Sequence, residues 1–327
     1  MKYYLGIDIG SVSTNVIAMT EDYEVCFNEY IRANGQPLES VKKGMNALRQ
    51  KLGCKDEDIL GIGTTGSGRE LAGVLVGADV IKNEITAHAT ATLHYHPDAS
   101  TIFEIGGQDS KIIILQDGMV TDFAMNTVCA AGTGSFLDHQ AERLGIPIEQ
   151  FGDMALSAEA DVRIAGRCTV FAESDMIAKQ QYGFSKAEII KGLCSALVRN
   201  YINNLGRGKT LKPPYIFQGG VAANKGIRAA FEQEVGHEVV IPKYYNVMGA
   251  IGCAILAKEQ MEQTGAAPAF KGFDRLSLEF RPTSFECNDC PNMCEVIKVV
   301  SEGETLAVWG DKCGKYAGTS RAARKRS

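Results

Sequence analysis

Ile7-Asp8-Ile9-Gly10-Ser11 is an acidic glycine turn at the end of an apolar run, and Phe103-Glu104-Ile105-Gly106-Gly107 repeats the pattern 96 positions later. Each copy leads into a second β-rich run, Asn15–Met19 in one case and Lys111–Leu115 in the other. A further turn and a third apolar segment follow each run, which is typical of antiparallel strands joined by hairpins. Two copies of one hairpin unit predict a duplicated α/β fold with a cleft between its halves.

Amphipathic segments between and after the hairpins predict the helices. Apolar residues at i, i+3 and i+4 mark them, and Ser185 with Glu188 forms a capping box before the longest. The predicted helices are Leu38–Leu52, Ser135–Leu144, Ser185–Asn204, a helix after Gly219-Gly220 that runs to about Glu234, and Met248–Gln263. The predicted additional strands are Tyr215–Phe217 and the hairpin of Val296–Val300 and Thr305–Trp309.

These elements divide the chain into three predicted domains. Residues 1–95 form the first lobe of the duplicated fold. Residues 96–265 form the second lobe, whose last helix can pack back on the first. Thr264–Ala269 has the composition of a linker. Residues 270–327 follow it as a small cysteine-rich module.

Composition and charge exclude several classes of protein. The 327 residues are 45% apolar and 22% charged, which is ordinary for globular domains and argues against disorder. A net charge of -5 argues against a nucleic-acid partner, and the lack of a long apolar run argues against a membrane span. Ten cysteines without a secretory signal predict a cytoplasmic protein whose clustered cysteines bind metals rather than form disulfides.

The two acidic turns have the features of a phosphate clamp. A carboxylate at a strand end can lie near Mg²⁺, while backbone N–H groups and hydroxyls of the turn meet phosphate oxygens. One such turn also fits a plain hairpin, but two turns that face each other favour nucleotide binding, and Asp109 can hold a metal-bound or attacking water. The predicted catalytic residues are Asp8, Glu104 and Asp109, and the predicted phosphate-binding residues are Gly10, Ser11, Val12, Ser13, Thr14, Gly106, Gly107 and Gln108.

A third glycine turn, Gly219-Gly220, lies between a predicted strand and a predicted helix. It leaves a flat backbone surface suited to an adenine or a ribose, although glycine pairs are also common at strand–helix turns for structural reasons. Asn224 of this segment and the turn Gly132-Thr133-Gly134 complete the predicted nucleotide-binding residues.

In this order the three glycine turns resemble the actin-like (ribonuclease H-like) ATPase superfamily, which includes actin, chaperones and sugar kinases. The resemblance implies that the acidic turns hold the phosphates of ATP together with Mg²⁺. It also implies that the late glycine pair holds the adenosine.

Cys129 and Cys168 each precede a predicted helix. The unpaired amides and positive dipole at a helix start stabilise a thiolate, and such amides can also donate hydrogen bonds to cluster sulfurs. Two cysteines cannot complete a four-ligand cluster, but a homodimer would supply four. On spacing alone, two buried and unreactive thiols remain the alternative.

At a closer level the chain resembles the activators of 2-hydroxyacyl-CoA dehydratases and the ATPase subunits of benzoyl-CoA reductase, over about residues 3–260. The matching motifs are Gly6–Asn15, Gly63–Arg69, Asn83–His88, Glu104–Lys111, Asn126–Phe136, Gly166–Asp175 and Gly219–Asn224. The resemblance implies a homodimer that shares one [4Fe–4S] cluster through Cys129 and Cys168 of each subunit. Glu84 and His88 lie one helical turn apart, and a place in the cleft and a packing role are equally compatible with that spacing.

The function implied by this resemblance is ATP-dependent, one-electron reduction of another enzyme. Ferredoxin or flavodoxin would reduce the shared cluster, and an iron–sulfur dehydratase or a double-cubane cluster protein would receive the electron. Two other functions stay open. One is a small-molecule kinase on the same fold, and the other is a chaperone-like or actin-like ATPase that carries a structural zinc module.

Four more cysteines, Cys287, Cys290, Cys294 and Cys313, lie within 27 residues and form a strong metal-ligand pattern. Structural Zn²⁺ and a second [4Fe–4S] cluster make the same demand for four thiolates. An electron-transfer role slightly favours the cluster. The short activators lack this module, so it resembles the extended activases or the reductases of double-cubane cluster proteins.

Overall fold

The computed structural model describes residues 1–126, 129–166 and 168–316, so residues 317–327 of the predicted module lie outside it. The strands are β1 (Tyr3–Ile9), β2 (Ser13–Met19), β3 (Val25–Arg32), β4 (Ile59–Gly66), β5 (Val80–Ile81), β6 (Thr101–Ile105), β7 (Ser110–Gln116), β8 (Met119–Asn126), β9 (Tyr215–Gln218), β10 (Val239–Val240), β11 (Arg281–Glu286), β12 (Glu295–Ser301) and β13 (Glu304–Trp309). The helices are α1 (Pro37–Leu52), α2 (Arg69–Val76), α3 (Glu84–Tyr95), α4 (Gly134–Leu144), α5 (Ile148–Leu156), α6 (Thr169–Gln181), α7 (Lys186–Leu205), α8 (Lys225–Val235) and α9 (Met248–Thr264).

Two five-stranded sheets share one topology. The first has the order β3-β2-β1-β4-β5, and the second has the order β10-β9-β6-β7-β8. In each sheet the three hairpin-connected strands are antiparallel, and the two added strands run parallel to the first strand of the hairpin. The predicted duplicated α/β fold is therefore confirmed, because the two acidic turns occupy equivalent positions in equivalent sheets.

The predicted elements lie close to the observed ones. The capping box at Ser185 is present, with the Ser185 hydroxyl accepting from the Glu188 amide before α7. One detail differs after the glycine pair. A short 3-10 turn at Gly220–Ala223 comes first, and α8 begins only at Lys225, after Asn224 accepts a hydrogen bond from the Ile227 amide as its N-cap.

Two glycines allow α9 to lie directly on the first sheet. Gly6 of β1 and Gly63 of β4 are register partners. A Cβ atom at Gly6 would lie 1.8 Å from the Ala250 carbonyl oxygen, and one at Gly63 would lie 2.1 Å from the Cys253 carbonyl oxygen. Only glycine permits this approach, so α9, which follows the second sheet in sequence, covers β1 and β4 of the first.

The core of the second lobe is aromatic. Phe103 of β6 stacks on Phe231 of α8 with a centroid distance of 4.7 Å, and Tyr201 of α7 meets both rings edge-on. The Tyr201 hydroxyl donates to the Lys111 carbonyl oxygen at 2.5 Å. Helix α7 is thereby fixed to β7, close to the second acidic turn.

The segment after α9 packs on the first lobe. Phe273, Phe280 and Val299 join the apolar core formed by β1 and α1. Arg49 of α1 pairs with Asp274 at 3.1 Å. The three antiparallel strands β11, β12 and β13 then form a small sheet of their own. Among the described residues, none of the helices is both long and apolar enough to cross a membrane.

Candidate nucleotide site and cysteine loops

The two acidic turns face each other across one cleft. Its polar part has a volume of about 80 Å³, and Val12 of the first turn touches Gly107 of the second so closely that a Cβ at Gly107 would lie 2.6 Å from Val12 Cγ2. The predicted residues that line this part are Asp8, Gly10, Ser11, Val12, Ser13, Glu104, Gly106, Gly107, Gln108, Asp109, Gly219 and Gly220.

Three predicted residues lie elsewhere. Thr14 is fully buried, and its hydroxyl is 2.6 Å from the Ser40 hydroxyl of α1. Thr133 is also buried, and its hydroxyl donates to the Ala130 carbonyl oxygen at 2.8 Å. Gly132 lies beside Asn200 of α7. These three residues pack beneath the turns and do not line the cleft.

A larger cavity of about 280 Å³ adjoins the polar part, and Val12, Gly106, Gly107 and Gly220 border both. The predicted residues Gly134 and Asn224 line this cavity. Its other lining residues come from both lobes and include Tyr30, Arg32, Leu137, Asp138, Ile148, Glu149, Asp153, Val221 and Lys225. Apolar walls with a few carboxylates suit a nucleoside, because a base needs flat apolar surface and ribose hydroxyls need acceptors.

Lys111 organises the carboxylates of the cleft. It is 2% exposed, and its ammonium lies 2.6 Å from Glu84, 3.0 Å from Glu104 and 3.0 Å from Asp109. Burial alone would lower the pKa of Lys111, but the three carboxylates outweigh it and raise the pKa above the usual range. Lys111 therefore stays protonated and holds Glu104 and Asp109 at the base of the second turn.

Asp8 carries a perturbed carboxyl group. Burial, reinforced by repulsion from Glu84, raises the pKa of Asp8 to about 7, against the opposing attraction of Lys111. The Asn15 side chain donates a hydrogen bond to Asp8, and Asn15 Oδ1 is buried without a hydrogen-bond partner in the described part of the chain. Carboxylate oxygens and an unpaired amide oxygen are ligands suited to a hard divalent cation or to the waters around it, so this donor set fits Mg²⁺.

His88 lies beside Asp8 at the wall of the cleft. Burial, followed by the charge of Lys111, lowers the pKa of His88 to about 3, so the ring is neutral. Because Thr92 donates to Gln218 Oε1 at 3.0 Å, Gln218 Nε2 is the donor to His88 Nδ1 at 2.9 Å. The network thus assigns the proton to Nε2, which is the nitrogen closest to Gly249 and the Asp8 side of the cleft.

The start of α4 is bonded directly to the second phosphate turn. The Gly134 amide donates to the Gly106 carbonyl oxygen at 2.9 Å, and the Ser135 amide donates to the Gly107 carbonyl oxygen at 2.8 Å. The Ser135 hydroxyl donates to the same Gly107 oxygen at 2.6 Å. Any displacement of this turn therefore moves the start of α4 and the segment in front of it, which begins at Cys129.

Cys129 and Cys168 are both half-buried N-caps. Cys129 precedes the 3-10 turn Ala130–Gly132, and Cys168 precedes α6, and neither side chain caps the helix that it precedes. Cys194 of α7 is instead a core thiol, and burial raises its pKa to about 12. The two N-cap thiols thus lie directly before the first turns of these helices.

The loops that carry these two cysteines are attached to the same helix. Asn126 brackets Cys129, accepting from its amide at 2.9 Å and donating to its carbonyl oxygen at 2.7 Å. Asn200 of α7 donates to the Gly166 carbonyl oxygen at 2.5 Å, two residues before Cys168, and also borders Gly132. An ion pair between Arg143 and Glu173 joins α4 to α6.

The four distal cysteines lie at one end of the small sheet. Cys287 is buried, Cys294 is half-buried, and Cys290 and Cys313 are exposed. Within residues 1–126, 129–166 and 168–316, no three His, Cys, Asp or Glu side chains are gathered into a metal-binding group.

Sequence reasoning missed several lining residues. Lys111 closes the quoted second motif, but its role depends on Glu84 from α3, which only the fold brings within reach. Tyr30 and Arg32 of β3 reach the nucleoside cavity from the opposite lobe. The alternation of exposed and buried residues along β3 does not predict that Tyr30 and Arg32 line a cavity. Their place in it depends on how closely the two lobes approach each other.

The chain is similar to known proteins over most of its length. A model of the BadF/BadG/BcrA/BcrD ATPase family matches residues 5–257. The (R)-2-hydroxyglutaryl-CoA dehydratase activating ATPase of Acidaminococcus fermentans is 33% identical over 256 residues, which cover 78% of this chain and 96% of that protein. The activator of lactoyl-CoA dehydratase of Anaerotignum propionicum is 32% identical over 262 residues, covering 80% and 99% respectively. The solved activator of the 2-hydroxyisocaproyl-CoA dehydratase from Clostridium difficile with bound ADPNP has a TM-score of 0.74 at 29% identity, and covers 80% of this chain and 97% of that one.

Proposed function

Because the chain belongs to the BadF/BadG/BcrA/BcrD ATPase family, we propose that it uses ATP hydrolysis to deliver single low-potential electrons to a partner iron–sulfur enzyme. The partner is a 2-hydroxyacyl-CoA dehydratase or a double-cubane cluster protein, and ferredoxin or flavodoxin is the electron donor. The observation that carries the proposal is the set of hydrogen bonds between α4 and the second phosphate turn. It connects a nucleotide cleft to a segment that begins at a cysteine.

The cleft residues divide the work of binding and hydrolysis. In this proposal the phosphates lie between the two turns, and the adenosine occupies the larger cavity beside Gly134 and Asn224. Mg²⁺, when bound, supplies counter-charge for the phosphates and lowers the pKa of a bound water. Asp8 and Asp109 would hold it, and the charge of the cation would oppose the burial and the repulsion from Glu84 that raise the pKa of Asp8 to about 7. Lys111, which pairs with both Glu104 and Asp109, keeps Asp109 in position.

The two N-cap thiols fit one half of a shared [4Fe–4S] cluster. Cys129 and Cys168 are half-buried, lie at helix starts, and sit in loops attached to α7. A cluster needs four thiolates, so a second subunit must supply the other two. The bound cluster would accept and release one electron, while first-turn amides of α6 tune its potential through hydrogen bonds to sulfur.

Exposed apolar side chains lie on α6 and β8, the elements that follow Cys168 and precede Cys129 in sequence. Val170 and Phe171, next to Cys168, are 63% and 65% exposed, and Phe123 of β8 is 51% exposed. Helix α6 buries only Ala172 and Met176 in its own subunit. Large exposed apolar side chains beside a site mark contact surfaces, which supports a homodimer across this face. A cluster held by half-buried thiols at such a surface also needs a reducing compartment, so we propose that the protein acts in the cytoplasm.

The test is metal content and mass of the anaerobically purified protein. We expect a brown dimer with about four irons and four sulfides per two chains, as one [4Fe–4S] cluster requires. Cys129→Ala and Cys168→Ala should each lose this iron, whereas the matched control Cys26→Ala should keep it. A colourless wild-type protein with ordinary ATPase activity, unchanged in both variants, would overturn the electron-transfer proposal and leave the kinase or chaperone-like ATPase functions.

A further inference from the structure

Strand pairing brings the four distal cysteines to one end of the small sheet. Strand β11 ends at Glu286 and pairs there with Glu295, the first residue of β12. Strand β13 ends at Trp309, which pairs with Ile297 near the same end of β12. The loop between β11 and β12 carries Cys287, Cys290 and Cys294, and the segment after β13 carries Cys313. All four thiols therefore come from two loops that leave the sheet side by side.

Cys287 and Cys294 continue the register of β11 and β12. The Cys287 amide donates to the Cys294 carbonyl oxygen at 2.8 Å, one step beyond the Glu286–Glu295 pair. Directly opposed residues in an antiparallel pair project from the same face with Cβ atoms about 4.5–5.5 Å apart. The Met293 amide donates to the Cys290 carbonyl oxygen at 3.1 Å, which turns the chain between Cys290 and Cys294.

The segment after β13 is attached to the first loop. Lys315 forms an ion pair with Asp289, and the Tyr316 hydroxyl donates to Cys287 Sγ at 3.9 Å. The Tyr316 ring also meets Phe285 edge-on, with a centroid distance of 5.6 Å. Cys313 therefore lies in a segment that is held against the loop of the other three cysteines.

We propose that one Zn²⁺ ion draws together Cys287, Cys290, Cys294 and Cys313, whose side chains are not gathered into a metal-binding group in the described residues. The site would be structural and separate from the nucleotide cleft and from Cys129 and Cys168. A single ion and a cube require different distances between the thiolates, so metal analysis distinguishes them. Four thiolates on one zinc, with Zn–S bonds of about 2.3 Å, lie about 3.8 Å from each other. A [4Fe–4S] cube attaches each thiolate to a different iron, which spreads the sulfurs more widely than one ion does.

The thiols have carboxylate partners that a metal would replace. Cys287 Sγ donates to Asp289 Oδ2 at 3.3 Å, and Cys313 Sγ donates to Asp311 Oδ2 at 3.8 Å. Zinc binding exchanges these contacts for metal–thiolate bonds and releases the thiol protons. Lys315, already placed between the loops, then lies beside the negative charge of a four-thiolate site.

The small sheet also buries few apolar side chains of its own. Strand β11 is exposed along its whole length, and Val296 and Val299 are the buried apolar residues of β12. Val299, Leu306 and Trp309 pack on the first lobe, whereas Cys290 and Cys313 in the loops beyond the strands are exposed. A metal ion is the usual means by which so small a unit fixes its loops.

The experiment measures zinc and iron in the full chain, purified anaerobically from cells supplied with both metals. We expect about one zinc per wild-type chain, as a closed four-thiolate site requires. The double variant Cys290→Ser/Cys313→Ser alters two exposed thiols and should lose all of this zinc. Cys26→Ser is the matched control and should retain it. Iron should stay unchanged in both, so failure of this proposal is distinguishable from failure of the shared cluster.

Trp309, the one tryptophan of the chain, provides a second readout. A zinc chelator should shift Trp309 emission in the wild type and leave it unshifted in the double variant. Wild-type protein that lacks zinc would overturn the proposal, whether its four thiols are free or joined as disulfides. Loss of iron in place of zinc from the double variant would overturn it too, in favour of a second cluster.

Discussion

Replacing Lys111 with methionine removes the positive charge around which Glu84, Glu104 and Asp109 are gathered. Lys111 is 2% exposed, and methionine keeps most of its aliphatic volume. The change therefore acts mainly through charge and leaves three carboxylates close together in a buried site. We expect a large loss of folding stability.

The size of the loss follows from burial. Removing one partner of a buried ion pair destabilises a protein by about 3–5 kcal/mol, because the other charge remains buried without compensation. With an unfolding entropy of about 2.1 cal/mol/K per residue, each kcal/mol corresponds to about 1.5 °C in the melting temperature of this 327-residue chain. We therefore expect Lys111→Met to melt about 6 °C below the wild type at alkaline pH.

The loss should depend on pH in a definite direction. Burial is the main cause that raises the pKa of Asp8 to about 7 and the pKa of Glu104 to about 8. These carboxyls bind protons in the folded state at pH values where the unfolded chain has released them, so stability falls as the pH rises between about 4 and 8. Without Lys111 this dependence is steeper, and the variant should lose more stability at pH 8.5 than at pH 6.

The assay is urea unfolding at pH 6 and pH 8.5. Lys258→Met is the matched control, because Lys258 is similarly buried but pairs at 2.6 Å with Glu262, which is 56% exposed. Because water solvates the Glu262 carboxylate, that charge stays stable without Lys258. The free energy of unfolding of the control should therefore fall by about 1 kcal/mol or less, equally at both pH values. A Lys111→Met variant that behaves like this control would refute the account of the carboxylate cluster.

Three further substitutions test the fold and the interface. Gly6→Ala would place a Cβ 1.8 Å from the Ala250 carbonyl oxygen, so the variant protein should either unfold or have a displaced α9. In the control Gly220→Ala the new Cβ has no neighbour within 4 Å, so this variant should have the melting temperature of the wild type. Ser40→Ala removes the buried hydrogen bond to Thr14. In urea titrations it should lower the free energy of unfolding by about 1–3 kcal/mol. An unchanged free energy would show that this hydrogen bond does not contribute to stability. Phe171→Glu should convert the dimer to a monomer, as light scattering would show, and should remove the iron detected by metal analysis. Leu156→Glu, at the similarly exposed end of α5, should change neither property. A Phe171→Glu protein that stays dimeric would place the interface elsewhere.

The parts of the fold predicted from sequence are those with local chemical signals. The acidic glycine turns after Ile7 and Phe103, the capping box at Ser185 and the glycine pair at Gly219 each have a local cause, and each lies where expected. The approach of α9 to β1 was beyond local reasoning, because Gly6 and Gly63 become meaningful only when their strands pair.

The same distinction holds in the site. Asp8, Glu104 and Asp109 belong to visible motifs and line the cleft. Thr14, in the same motif, faces away because alternate residues of β2 point to opposite sides and its side chain meets Ser40. Glu84 and His88 reach the cleft from α3, which is one of the two alternatives that their helical spacing left open. Tyr30 reaches it from β3, and long-range packing alone decides its position.

The central claim is that nucleotide in the cleft acts on the thiols through α4, and the most direct test is the midpoint potential of the bound cluster. It should be measured anaerobically, with ADP and then with a non-hydrolysable ATP analogue. The account predicts a shift between the two nucleotides that is reduced in Ser135→Ala, which loses the hydroxyl bonded to Gly107. An identical potential with both nucleotides, at saturating binding, would contradict it.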